Sequence, residues 1–363
     1  MSKIRFQIVP PIQRSDETVF ITGGLPSLGH WQPAKAIPLR WEPPFHICEI
    51  EADLGSHFEY KITRGSWETE AVDAYGDVPP NSVCEVWLDH TIRHTVADWK
   101  DRFRGRLTRE LIPSRALADA REILIWLPPS YSSETFRRFP IVVLHDGANV
   151  FDPATSALSG IDWAADEWIT LLSSEGVLPE AIVVGICHPD GFAHGDVSLR
   201  DYDLSPEWGG PAYAEFIAAE LIPYLDARYR TLADPRARIL GGSSLGGLLT
   251  FYLALNHPGV FTGFLGLSTA FEDVSQSPPP HSGQLLALEA MDSLPTGLRL
   301  YFDYGTHGLD ECYDPYHVDL ASLLRTKGWK DDREFKIVKV EGGTHDELSW
   351  RQRFGNALRF LAS

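Results

Sequence analysis

Two rhythms of apolar and polar positions divide the chain. Up to about residue 98 the apolar residues come in short runs, "TVFITGG", "FHICEIEA", "HFEYKITRG" and "SVCEVWLDH". These runs are rich in β-branched and aromatic side chains and bounded by Gly, Pro, Asn or Asp, the pattern of short strands between turns. No helical period competes, so residues 1–98 are expected to form a small all-β sandwich. The polar stretch "ADWKDRFRGRLTRELIPSR" comes next, and residues 99–115 are expected to be a linker and lead-in.

From residue 116 to 363 the rhythm changes. Strand-like runs "REILIWLPP", "FPIVVLHDG", "AIVVGICHP", "ARILGGSS", "GFLGLST", "LRLYFDYG" and "REFKIVKVEGG" alternate with helical stretches. The helical ones are "DWAADEWITLLSSEG", "YAEFIAAELIPYLDARY", "GLLTFYLALNHP", "PYHVDLASLLRTKG" and "LSWRQRFGNALRFLA". Strand and helix in alternation predict an α/β fold, a mostly parallel sheet covered by helices on both faces.

One junction in that alternation carries chemistry. In "RARILGGSSLGGLLTFYLAL" an apolar strand runs through two pairs of glycines into an amphipathic helix. Gly242, Ser244 and Gly246 fit G-x-S-x-G, a strained turn that projects a serine hydroxyl at the carboxyl edge of a sheet. The N–H of Leu245 can then face a developing oxyanion at a helix N-terminus. The bland alternative is a glycine turn that only lets helix and strand pack closely. A phosphate loop is disfavoured, because no Lys follows the glycines.

A serine nucleophile needs a base and an acid, in the chain order Ser, acid, His. His345 lies in "VKVEGGTHDELSW", between the last strand and the last helix, where it can lean over the sheet edge towards Ser244. In "LRLYFDYGTHGLDECYDP", Asp303 sits inside the strand and is assigned to packing or a local hydrogen bond. Asp310, after the turn, is the choice for the acid that fixes the His345 tautomer, with Glu311 second. Gly147 and Ala148, in the small-residue turn of "IVVLHDGANVFD", are the candidates for the second oxyanion donor.

Composition narrows the partners. With 50 acidic and 32 basic residues the net charge is −18, which repels phosphate backbones, so no nucleic-acid partner is expected. The four cysteines show no C-x-x-C pairing and read as buried free thiols in a reducing compartment. No run approaches a membrane span and the start lacks a secretory pattern, so the expectation is a soluble cytoplasmic protein without a membrane partner. Nothing indicates a metal or organic cofactor, and the oligomeric state is left open.

Together, "HDGANVFD", "GGSSLGG", "LRLYFDYGTHGLDECY" and "GGTHDELSWRQRFGNALRFL" resemble the putative-esterase branch of α/β-hydrolases, over about residues 105 to 363. That branch includes enterochelin and other siderophore esterases, feruloyl and acetylxylan esterases, and mycolyltransferases. The resemblance implies a Ser244–Asp310–His345 triad, with oxyanion donors near Ala148 and at Leu245. It also implies that "SLRDYDLSP" borders the active-site mouth, with Arg200, Asp201 and Tyr202 there, Arg200 and Tyr202 as substrate contacts. One departure is Ala148, where the family usually has Gln, which puts substrate contacts at that loop in doubt. The long loops "CHPDGFAHGDVSLRDYDLSPEWGG" and "STAFEDVSQSPPPHSGQ" are expected to shape the substrate pocket, with Phe192 and Trp208 as apolar wall residues.

The first domain carries a resemblance of its own. "VFITGGLPSLGHWQPAKAIPLRW" and "FEYKITRGSWETEAVDAYGDVPPN" look like a starch-binding domain of the family-20 or family-48 kind. The sugar site this implies is Trp31, Lys61 and Trp67, with Asn81 at the end of the motif. Indole faces would stack on the sugar ring while polar groups bond its hydroxyls. The alternative is that both tryptophans are core or interdomain residues of a sandwich that no longer binds glucan. The leading functional expectation is a serine carboxylesterase acting on a small-molecule ester: an acylated carbohydrate, a siderophore-type ester or a generic acyl ester. An acyltransferase with a sugar acceptor would need the same triad, and a glucan-binding protein with a silent hydrolase domain is the reading from another class.

Overall fold

The computed structural model describes residues 1–12, 17–103, 105–156, 160–271 and 283–363. In the first domain, period-two alternation builds one sheet of the expected sandwich. Strand Ser2–Val9 turns Ile4, Phe6 and Ile8 into the core, each fully buried, while Lys3 and Arg5 reach Glu49 on the outer face. It pairs antiparallel with Phe45–Ala52 and parallel with His90–Thr95, and Arg40–Glu42 closes the far edge. The facing sheet is ordered Ile37–Pro38, Phe20–Gly23, His57–Thr63, Ser82–Glu85. Phe58, Tyr60 and Ile62 from that sheet meet the first in one apolar core, with Phe6 and Tyr60 edge to face at 5.0 Å.

The linker expectation needs correction. Asp98–Trp99 pairs with Ala71–Val72 and belongs to the first domain, while Arg106–Ile112 is already a strand of the second. We number the strands of that large sheet β1 (Arg106–Ile112), β2 (Arg121–Leu127), β3 (Ile141–Leu144), β4 (Ile182–Ile186), β5 (Arg238–Ser243), β6 (Gly263–Leu267), β7 (Arg299–Gly305) and β8 (Phe335–Val340). Strand β1 is an edge strand, and its charged outward positions are what made it look like a linker.

The spatial order is β1-β2-β4-β3-β5-β6-β7-β8. Strands β3 to β8 are mutually parallel, and β2 runs antiparallel to both β1 and β4. The central strands are buried on both faces, so they read as unbroken apolar runs rather than alternating ones. The helices are α1 (Ala165–Ser174), α2 (Leu199–Leu204), α3 (Gly210–Glu215), α4 (Ile222–Arg228), α5 (Leu245–Asn256), α6 (Gly283–Ala290), α7 (Asp314–Thr326) and α8 (Glu347–Ala362). One core packs α3 to α5 and α7 on one face of the sheet. The other packs α1 and α8 on the opposite face, around Trp163, Ile169 and Phe354.

Two further expectations change. The stretch 187–210, read as a loop, holds a short hairpin (Phe192–His194 with Val197–Ser198) and then α2. Most of the second long loop, 272–282, lies outside the described residues. The thiols are all free, but only Cys84 and Cys187 are buried; Cys48 is half-buried and Cys312 exposed.

The domains meet in a polar seam. Arg351 of α8 is buried to 3% exposure and donates to the carbonyls of Pro10 (3.0 Å) and Pro11 (2.9 Å) in the first domain. The same guanidinium donates to Asp162 Oδ1 (2.5 Å) and to the Asp162 carbonyl (3.0 Å) in the second. Thr95 Oγ1 adds a bond to the carbonyl of Gly160.

Candidate active site

Strand β5 ends at Ser243 and α5 begins at Leu245, leaving Ser244 alone between them with φ 55° and ψ −123°. An L-residue pays strain for that conformation, and such strain persists only where the surroundings over-determine it. Here they do. The Ser244 N–H donates to the Leu267 carbonyl at the end of β6 (2.9 Å), and the Ser244 carbonyl accepts from the N–H of Ala270 and of Leu248. Glycine is required alongside: a Cβ on Gly242 would sit 2.7 Å from the Gly246 carbonyl carbon and 2.8 Å from the His145 ring. Ser244 and Leu245 are half-buried, while Gly242, Ser243, Gly246 and Gly247 around them are buried.

His345 follows β8 and directly precedes Asp346, the N-cap of α8, whose carboxylate accepts from the N–H of Ser349. The imidazole Nδ1 lies 2.7 Å from Asp310 Oδ1. Trp350 and Tyr313 pack edge-on against the ring, with centroids at 5.2 Å and 5.7 Å. Asp310 is fully buried in the turn after β7, whereas its neighbour Glu311 is exposed and accepts from the N–H of Gly308.

Burial alone would raise the Asp310 pKa. Hydrogen bonds from His345, from Ser268 Oγ (2.5 Å) and from the N–H of Gly305 (2.6 Å) outweigh it and hold the carboxyl below its ordinary 3.8. An ionised carboxylate only accepts, so the proton of a neutral His345 sits on Nδ1 and Nε2 is left as the free base.

The turn after β3 supplies Gly147 and Ala148 at the start of a short 3₁₀ segment whose first internal bond is Asn149 N–H to the Asp146 carbonyl. The N–H groups of Gly147 and Ala148 precede that bond, and the Leu245 N–H opens α5, so none has an intrahelical acceptor. Gly147 also has to be glycine, because a Cβ there would lie 2.6 Å from the Gly185 carbonyl carbon of β4. Asp146 adopts a left-handed φ of 56° and is 6% exposed.

Arg200 of α2 grips Asp146 with a two-pronged fork, Nε to Oδ1 at 2.5 Å and Nη2 to Oδ2 at 2.7 Å, and donates a third bond to Asp201. Burial pushes the Asp146 carboxyl up, but this guanidinium more than reverses it. Arg200, expected as a substrate contact, braces the turn after β3 and keeps 32% of its side chain exposed. Tyr202 lies against Gly209, where a Cβ would come within 2.5 Å of its ring. Phe192 and Trp208 are 71% and 52% exposed.

In the first domain, Trp31 and Trp67 are half-buried, Trp31 with its backbone N–H on the Gly23 carbonyl and Trp67 in a 3₁₀ turn capped by Ser66. The Lys61 ammonium donates to the Pro79 carbonyl (2.8 Å) and lies 3.6 Å from Glu70, and the Asn81 amide donates to Glu59 (2.8 Å). Among the described residues no cluster of three His, Cys, Asp or Glu is arranged to hold a metal, and no helix is long and apolar enough to cross a membrane.

Sequence reasoning missed the residues behind Asp310. Ser268, Trp350 and Arg353 meet there although no motif marks them; "LST" and "SWRQR" look like any strand end and helix start.

These features coincide with what is known of other proteins. Residues 1–87 match the Starch binding domain family, and residues 114–361 match the family described as Putative esterase. Among curated proteins, the uncharacterized protein YbbA of Bacillus subtilis is 24% identical over 258 residues, 67% of this chain and 93% of its own length. Among solved structures, ferric enterobactin esterase from Salmonella typhimurium superposes with a TM-score of 0.56 at 18% identity, covering 97% of this chain and 89% of that one. The ferulic acid esterase of the anaerobic fungus Anaeromyces mucronatus gives 0.54 at 18% identity, over 72% of this chain and 92% of its own. The sheet order, the serine turn and the family match over most of the chain agree: the protein belongs to the Putative esterase family, with a starch-binding-type domain before its α/β-hydrolase domain.

Proposed function

We propose that the protein is a serine carboxylesterase whose triad is Ser244, His345 and Asp310. The observation that carries the reading is the His345–Asp310 contact of 2.7 Å, which leaves Nε2 as the base, in a chain that also holds a strained serine at a helix start. Ser244 Oγ attacks the ester carbonyl carbon while His345 Nε2 takes its proton. The oxyanion is held by the N–H groups of Leu245 and of Ala148 or Gly147. Asp310 stabilises the imidazolium, which then protonates the leaving alcohol as the C–O bond breaks and an acyl-enzyme remains. Water, deprotonated by the same imidazole, adds to the acyl carbon and releases the acid with Ser244 restored.

The Starch binding domain match favours an acylated carbohydrate, held through Trp31, Lys61, Trp67 and Asn81. It also keeps one variant in view, transfer of the acyl group to a sugar hydroxyl instead of water, which product analysis with and without a sugar acceptor separates. With all four cysteines free, action in a reducing compartment such as the cytoplasm fits the chain. The experiment is hydrolysis of p-nitrophenyl acetate and butyrate by the wild type beside Ser244→Ala, with labelling by a serine-directed phosphonate. Activity and labelling that vanish in the variant support the reading. A wild type that neither turns over nor labels overturns it.

A further inference from the structure

We propose that Ser268, Arg353 and Asp303 form a buried positioning frame that decides which oxygen of Asp310 serves His345. The inference rests on the esterase reading above and adds residues that touch neither substrate nor the reacting atoms.

The frame follows from counting protons. Ser268 Oγ receives two donors, Trp350 Nε1 at 2.9 Å and Arg353 Nη2. With both acceptor sites of the hydroxyl occupied, its single proton can only point outward, and the atom it meets is Asp310 Oδ2 at 2.5 Å. The Gly305 N–H holds the same oxygen at 2.6 Å. Oδ2 is thereby saturated, and Oδ1 is the oxygen left for His345. A carboxylate without that frame could rotate and share His345 between its oxygens.

Asp303 holds the frame from behind. Its Oδ1 accepts the Ser268 N–H at 3.1 Å, at a residue whose φ of 45° is strained for anything but glycine, and it lies 3.5 Å from Arg353 Nε. One cation thus stands between two carboxylates, with Arg353 Nη2 3.8 Å from Asp310. The Asp303 and Asp310 side chains are fully buried and that of Arg353 is 4% exposed, so their fields are little screened. Burial pushes the Asp303 carboxyl up to about 6, with Arg353 and the Ser268 N–H pulling against it. The same corner reaches the nucleophile, because Leu267, next to Ser268, accepts the Ser244 N–H.

The test measures kcat, KM and the pH dependence of kcat/KM on p-nitrophenyl butyrate for the wild type, Ser268→Ala, Ser268→Gly and Asp303→Asn, with circular dichroism as the fold control. Glycine relieves the positive φ, so Ser268→Gly keeps the fold even if alanine does not. The frame predicts that loss of the hydroxyl lowers kcat about 10- to 100-fold in either variant with KM within about threefold, the scale of a hydrogen bond to a charged group. For Asp303→Asn it predicts an acidic limb moved to lower pH, because the negative charge that Asp303 carries above about pH 6, which favours the imidazolium, is gone. A merely structural role would leave Ser268→Gly at wild-type kcat and the limb of Asp303→Asn in place, and that result overturns the frame. If instead the wild type is inactive on every ester, the esterase reading fails first, and with it this one.

Discussion

The direction each side chain faces separates the two carboxylates that the sequence offered as triad acid. Asp310 and Glu311 are adjacent in a 3₁₀ turn, so neither spacing nor chain order could choose between them. Burial chooses: Asp310 faces inward onto His345, Ser268 and the Gly305 N–H, while Glu311 faces solvent. Asp310→Asn replaces an acceptor by a group that can donate, and the imidazole can then take the other tautomer with its proton on Nε2. We expect kcat on p-nitrophenyl butyrate to fall about 10³- to 10⁴-fold with the circular dichroism spectrum unchanged. The sign of the pH effect follows from the lowered carboxyl: its contribution to stability is complete above the ordinary value of 3.8 and is lost as pH falls through the folded one. Ser244 was legible for the opposite reason, since glycines two residues away on both sides have no local use except at a turn without room for side chains.

At the scale of elements, apolar runs were easy to read and charged ones were not. The buried strands β3, β4 and β6 are continuous apolar segments and announce themselves. Strand β1 shows solvent Arg106 and Arg109 at an edge, and α2 is six residues long with Asp201 and Asp203 inside it, so both passed for loop. Yet α2 matters, because it carries Arg200 to Asp146 in the turn after β3. Removing that cation leaves a carboxylate buried and uncompensated, which costs about 3 kcal/mol on the scale of broken buried pairs. Arg200→Ala should therefore lower the urea midpoint more at pH 8 than at pH 5. Without Arg200, burial raises the Asp146 pKa, so the native state holds its proton and stability declines as pH rises. Equal deficits at the two pH values would show that the fork is not what keeps Asp146 ionised.

At the scale of the whole molecule, the two domains were legible as two rhythms, but their seam was not, since its Arg351 bonds go to main-chain carbonyls that no side-chain pattern marks. Asp98 and Trp99 of the first domain and Asp166 and Glu167 of α1 line one cavity there. Burial raises all three carboxyls, Asp98 to about 6 and Asp166 to about 7, and it raises Glu167 well above its ordinary value, with the Asp166 charge beside it adding to the rise. Such groups keep their protons in the folded state while the unfolded chain releases them, so stability is lost as pH climbs from about 4 through the raised values. Asp166→Asn removes that residue's share of the linkage, and we expect its melting temperature to exceed the wild type's at pH 8 and to match it near pH 4. A variant no more stable than the wild type at pH 8 would count against a buried acid there. For the sugar site, retention of Trp31→Ala and Trp67→Ala on an amylose column should weaken about tenfold each, the scale of a lost aromatic anchor. Unchanged retention would assign both indoles to packing.

Helix α8 serves both domains within four residues. Trp350 touches the His345 ring, Arg353 lies behind Asp310, and between them Arg351 is bound to Pro10 and Pro11 of the first domain. Evolution often treats small domains as beads, gained, lost or exchanged without disturbing their neighbours. Here an exchange would strip a buried guanidinium of two acceptors on the very helix that braces the proposed base. A replacement domain would have to arrive with a pair of carbonyls at the same two points. Loss of the sandwich would thus be felt in the hydrolase domain, at a guanidinium left buried two residues from Arg353 behind Asp310.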